Sequence, residues 1–267
     1  MSSADTSPAD PRADTLNRRE RAVTLIALLG VTAIAWLYLL TMPQDMNGMA
    51  MDDMPDMAMP KAPWTLTAFA LTFAMWWVMM LGMMVPSAVP MILTFATLNR
   101  NKRARGQSFV PTSVFVLGYL IAWGGFSIGA TVAQWALDRV ALLSPMLATT
   151  SPALGGGLLV LAGLYQFTPL KQTCLRNCRS PLAFVLNHWR DGWDGAPRMG
   201  LEHGVYCLGC CWVLMALLFV VGVMNLLWVA GTAAFVFAEK LLPGGVWIGR
   251  VAGGAMLGFG VLLLTRG

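Results

Sequence analysis

The sequence has 267 residues, of which 57% are hydrophobic and 12% charged, roughly half the charged share of an ordinary globular domain. Its 18 Lys and Arg outnumber 13 Asp and Glu to give +5, but the bases fall between apolar runs and form no basic, aromatic-interleaved patch, which argues against a nucleic-acid partner. The apolar runs are long enough to cross a bilayer, and five cysteines in two groups do not read as a disulfide framework.

Residues 1–21, polar and rich in Pro, Ser, Asp and Arg, read as a disordered cytoplasmic N-terminal tail. They lead straight into Ala22 to Met42, long enough for one spanning helix. No small-residue cleavage site follows it, so it is expected to remain as the first helix. The arginines before it place the N-terminus in the cytoplasm of a multi-pass protein of the bacterial inner membrane. The outer loop 43–63 then carries Met46, Met49, Met51, Met54, Met57 and Met59 among Asp45, Asp52, Asp53 and Asp56. Nothing in it is amphipathic at a helical or strand period. Clustered thioethers are soft, neutral ligands that suit Cu(I) where thiols would be oxidised; the competing reading is a low-complexity loop.

The second helix, Trp64 to Leu98, holds two interlocked pairs, Met79/Met83 and Met80/Met84, each four residues apart on one helical face. Pro86, just beyond, would free a backbone carbonyl one turn earlier. These methionines are either core filler or a path of sulfurs. Arg100, Lys102, Arg103 and Arg105 mark a cytoplasmic loop. A third helix runs from Pro111 to Leu137, with Gly125 and Gly129 spaced for close helix contact. The fourth, Pro152 to Thr168, returns to the cytoplasmic loop 171–199, held inside by Lys171, Arg176, Arg179, Arg190 and Arg198. The fifth spans Gly200 to Gly222 and the sixth Met224 to Ala238. Glu239 and Lys240 then mark a return to the cytoplasmic face, and Trp247 to Leu264 forms the seventh, with Gly254 and Gly258 as a packing pair. The expected fold is all-α, a polytopic integral membrane helix bundle of about seven spans, or six if the sixth does not cross. Residues 22–267 form a single membrane domain.

Sulfur chemistry concentrates in two segments. His203, Cys207, Cys210 and Cys211 fall at about 0°, 40°, 340° and 80° around one helix, so imidazole and thiols share a face. Cys174 and Cys178, four apart, share a face if their segment is helical. Together they could complete a tetrahedral zinc site, while two thiols suffice for Cu(I). Lys171, Arg176 and Arg179 are the cations expected to neutralise thiolates. Membrane cysteine is also a small hydrophobe, and His188, beside Trp189 and Arg190, reads more readily as a hydrogen-bonded anchor than as a ligand.

Several motifs together resemble a known family: Leu170-Lys171 with Cys174-Leu175 and Cys178-Arg179 before Pro181; His188-Trp189-Arg190 before Gly192; and Tyr206-Cys207 with Gly209-Cys210-Cys211-Trp212 before Met215. With Met79-Met80, Met83-Met84 and Pro86 upstream, they are similar to the bacterial predicted metal-binding integral membrane proteins, from about Trp64 onward. The resemblance implies metal binding without a mechanism. In arrangement alone, a Met-rich outer segment, Met-x3-Met pairs in a helix and inner cysteines look like the eukaryotic high-affinity copper importers.

The expected function is copper binding and transport or trafficking, with Cu(I) captured by the Met loop and accepted by the Cys/His cluster, and zinc as the other candidate metal. Expected partners are the lipid bilayer, the metal ion, and a soluble metallochaperone or membrane protein. No motif assigns a catalytic residue, so an enzymatic role is not the first reading. Two alternatives stay open: a membrane thiol-disulfide oxidoreductase using Cys207/Cys210 and Cys174/Cys178, and a structural zinc or iron-sulfur site acting within a partner complex.

Overall fold

In a chain this apolar, coiling is the way for each backbone amide to find a partner without water. The computed structural model describes residues 11–47, 64–107, 109–144 and 147–266, and among these the regular structure is helical, with an isolated bridge between Leu143 and Thr149. The first helix, α1 (Pro11–Asn47), is followed by α2 (Leu66–Ala104), α3 (Thr112–Arg139), α4 (Pro152–Tyr165) and α5 (Pro169–Arg179). Then come α6 (Pro181–Asn187), α7 (Gly192–Ala216), α8 (Leu218–Val221), α9 (Leu226–Leu241) and α10 (Gly245–Arg266).

Among the described residues, five segments are long and apolar enough to cross a membrane: Arg21–Thr41 of α1, α2, α3, α7 with α8, and α10. A sixth arises if α4 and α5, bent by 64° at their junction, count as one broken span. Six among the described residues is the lower of the two expected counts, the one in which the sixth helix does not cross. The element that fails is α9, whose 16 residues rise only about 24 Å against a hydrocarbon core of about 30 Å. Along α1 and α10 large apolar side chains face outward, among them Ile26, Ile34, Trp247 and Val251, as lipid-facing residues would.

Three boundaries differ from expectation for physical reasons. The tail expected to be disordered to residue 21 is helical from Pro11, because a helix already nucleated in the apolar run extends through good helix formers at little further cost. The fourth helix stops at Tyr165: Pro169 biases Thr168 out of helical geometry, and the Thr168 side chain caps α5 by accepting from Lys171 N–H. The loop expected over 171–199 is mostly helical, and α7 begins at Gly192. Met49, Met51, Met54, Met57 and Met59 lie outside the described residues, as does all but the helical backbone at Met46.

Small residues set the helix contacts, though not the ones expected. Gly125, Gly129, Gly254 and Gly258 meet nothing within 4 Å of where a Cβ would stand. Instead α3 and α7 touch backbone to backbone at Gly118, which faces Pro197 and Leu201, and at Gly200, which faces Phe115 and Tyr119. In the second close pair, Gly156 and Gly163 of α4 face Gly260 and Gly253 of α10. A spacing of four is frequent on any helix, so it could not say which face meets a partner. Gly200→Ala is expected to destabilise by about 1–3 kcal/mol through overpacking. Gly125→Ala, on an open face, should be neutral or stabilising by a few tenths. Thermal melting of the two variants in detergent distinguishes them.

The Pro86 expectation has a specific resolution. The amide that would bond the Gly82 carbonyl is missing, and the Trp36 indole of α1 donates to that carbonyl at 3.2 Å. Across α2 and α3, the buried Trp76 indole donates to Gln134 at 2.8 Å. Near the start of α7, Lys102 pairs with Asp191 at 2.7 Å and lies over the Trp189 ring.

A buried thiol and thioether cluster as candidate metal centre

The helical period puts Met75, Met79, Met80, Met83 and Met84 on the side of α2 that packs inward, and all five are buried. The same period on α7 buries His203, Cys207, Cys210 and Cys211. Because α7 starts at Gly192, Cys207 lies 15 residues, or about 22 Å, along the helix. The turns that precede them, Gly192 to His203, carry Asp194, Arg198 and Glu202, and the apolar run of α7 continues from the cysteines to Ala216.

The two faces meet. Cys211 Sγ lies 3.9 Å from Met84 Sδ. Cys210 and Cys211 donate to the Cys207 carbonyl at 3.0 and 3.1 Å, the back-bonding of thiols to the preceding turn. From α5, the half-buried Cys178 lies beside Cys207 and Cys210. Cys207 Sγ also accepts from Lys240 Nζ at 3.0 Å and lies 3.3 Å from the Tyr119 hydroxyl, which donates to the Met84 carbonyl at 3.2 Å. Lys240 Nζ continues to Ser87 Oγ at 3.1 Å, and Ser87 donates to the Met84 carbonyl at 2.8 Å. Four helices beside α7 thus each contribute to one sulfur neighbourhood: α2, α3, α5 and α9.

Not every expected ligand joins it. Cys174 packs its sulfur against Gly209, where a Cβ would come within 2.7 Å. His203 lies one turn before Cys207 in an aromatic cage, stacked on Tyr119 at 5.7 Å and edge-on to Phe184 at 5.5 Å. Its Nδ1 is buried without a hydrogen-bond partner among the described residues. His188 stacks on Phe184 at 4.6 Å and its Nδ1 lies 3.0 Å from the Phe184 carbonyl, the anchoring role expected of it. Among the described residues no three His, Cys, Asp or Glu side chains are arranged to hold a metal ion. Thioether and thiol sulfurs in contact are the donors that suit a soft ion.

The cations around the cluster differ from those expected. Lys171 does not face the thiols or solvent: it forms a buried ion pair with Glu239 at 2.7 Å and bonds Gln166. Arg179 is bound to the carbonyls of Glu239 and Leu242. Glu239 and Lys240, expected at a membrane face, are 2% and 4% exposed. The cation on the thiols is Lys240. Sequence reasoning missed Lys240, Ser87 and Tyr119. Tyr119 was detectable, since Phe115, Gly118, Tyr119 and Ala122 recur at helical spacing and line the buried stripe of α3. Lys240 was not: a Glu-Lys pair ending an apolar run has the same signature as a membrane boundary.

A family model described as PpoB2, copper chaperone, matches residues 73–263. No curated protein and no solved structure matches the chain.

Proposed function

Because the chain belongs to the PpoB2 copper chaperone family, we propose that it binds Cu(I) as cargo within a membrane and passes it between thioether and thiol ligands. The observation that carries this reading is the contact between Met84 Sδ and Cys211 Sγ at 3.9 Å, where a buried row of methionines meets a buried group of cysteines. Thioethers hold Cu(I) weakly and thiolates strongly, so an ion moving from the Met79, Met80, Met83 and Met84 group to Cys178, Cys207, Cys210 and Cys211 runs downhill. The Met46–Met59 segment is the proposed point of capture outside the cytoplasm, with the N-terminus inside and the cargo released to a partner protein.

In the oxidoreductase alternative, a partner disulfide would meet the half-buried Cys178 first, because Cys207, Cys210 and Cys211 are 1%, 1% and 0% exposed. Mixed disulfides trapped on Cys207→Ser and Cys210→Ser variants would favour that alternative; a metal site traps no partner.

The test is metal content under reducing conditions for three purified forms: wild type, the six loop methionines changed to Ile, and all five cysteines changed to Ser. Copper in the wild type, with separate portions lost in each variant, is the expected result. Zinc held by the cysteines with no copper exchange would replace this reading by a structural site.

A further inference from the structure

The sulfur cluster already contains a positive charge. Lys240 is buried, and its ammonium donates to Cys207 Sγ at 3.0 Å and to Ser87 Oγ at 3.1 Å. Its chain neighbour Glu239 does not neutralise it: successive residues of a helix point about 100° apart, and the Glu239 carboxylate is engaged by Lys171 at 2.7 Å. Lys171 and Glu239 cancel each other. Arg179 is half-buried and held on backbone carbonyls, so the charge in contact with a thiol sulfur is that of Lys240.

That residual charge selects among metals by simple counting. Two thiols that bind one Cu(I) lose two protons to bulk water, and the bis-thiolate copper unit carries one negative charge. Lys240 cancels it. Zn(II) on the same two thiolates gives a neutral unit and leaves the Lys240 charge uncompensated in a poorly screening interior, where opposing unit charges interact strongly. A divalent ion would reach neutrality beside Lys240 only by recruiting a third thiolate, one ligand more than the two that suffice for Cu(I).

We propose that Lys240 is a specificity-determining residue, a fixed charge beside Cys207 that makes the thiol site accept monovalent Cu(I) and disfavour divalent Zn(II). The inference rests on the reading of the cluster as a copper site. It assigns a role to a lysine that touches sulfur without being a metal ligand, and it explains why a lysine is held in an apolar bundle at all. A lysine needed only for packing would be replaceable by an apolar residue of similar volume without changing which metal binds.

The experiment is competitive titration of purified protein with Cu(I) and Zn(II) under anaerobic, reducing conditions, for wild type, Lys240→Leu, Lys240→Gln and Lys240→Arg. Methionine is avoided because its thioether would add a ligand. The Leu and Gln variants are expected to shift the copper-over-zinc preference toward zinc by about 10–100-fold, the usual size of an effect from outside the ligand shell. Lys240→Arg should stay within a few-fold of wild type. Gln, neutral but polar, serves if Leu does not elute as a folded monodisperse peak. Unchanged preference in a folded neutral variant overturns the proposal, as does an Arg variant that shifts as far as Leu. Failure of the copper reading itself looks different: the wild type would then hold no Cu(I) that is lost in the five-Cys→Ser form.

Discussion

Glu239→Ala is expected to destabilise the folded protein by about 3–5 kcal/mol, the cost of leaving one member of a buried ion pair alone. Lys171 and Glu239 are 1% and 2% exposed and approach to 2.7 Å, and the remaining help comes from Gln166 on the Lys171 side. Removing the carboxylate strands the Lys171 ammonium between α5 and α9 with one amide oxygen for company. The companion variant decides the mechanism. Lys171→Met combined with Glu239→Leu removes both charges, and it is expected to lie within about 1 kcal/mol of wild type or above it, as apolar replacements of whole buried pairs often do. Thermal melting in detergent of wild type, Lys171→Met, Glu239→Leu and the double variant closes the cycle. Similar losses in the single and double variants would mean that shape, not charge pairing, holds α5 against α9.

The second large effect concerns metal. Cys207→Ser is expected to weaken Cu(I) binding by at least about 100-fold, or ~2.7 kcal/mol. Cys207 is where the contacts converge: Lys240 and Tyr119 lie on its sulfur, and the thiols of Cys210 and Cys211 donate to its carbonyl. Serine keeps the size and loses the soft donor. Cys174→Ser should change affinity only a few-fold, because that sulfur packs on Gly209. Competition with a Cu(I) chelator measures both variants. Equal loss in the two would remove the distinction drawn between Cys174 and the cluster.

The parts of this molecule that were legible in the sequence are those governed by local periodicity. Met79, Met80, Met83 and Met84 read as one inward group and are buried as one, and the cysteines at 207, 210 and 211 share a buried face as their spacing required. Pro86 announced a freed carbonyl, though only the fold could supply Trp36 as its partner. What failed was everything set by which faces meet. Gly125 and Gly129 carry the right spacing on a face that packs against nothing described, while Gly118 and Gly200 make the contact.

Charge is placed by the same kind of contact. Basic residues beside apolar runs usually mark a membrane face, and Lys171, Arg179, Glu239 and Lys240 are expected there. In the fold Lys171, Glu239 and Lys240 are buried, with Lys240 on the Cys207 sulfur, while Arg179 is half-buried on backbone carbonyls. An ionisable residue at the end of a short apolar helix is as much a candidate for a functional interior as for an interface.

The most direct test of the central claim is X-ray absorption spectroscopy of the wild-type protein loaded with one equivalent of Cu(I). The account predicts a first shell made of sulfur alone, at low coordination number, that changes when Cys207 and Cys210 are replaced by Ser. A shell of nitrogen or oxygen, or a sulfur shell indifferent to those two cysteines, would contradict it.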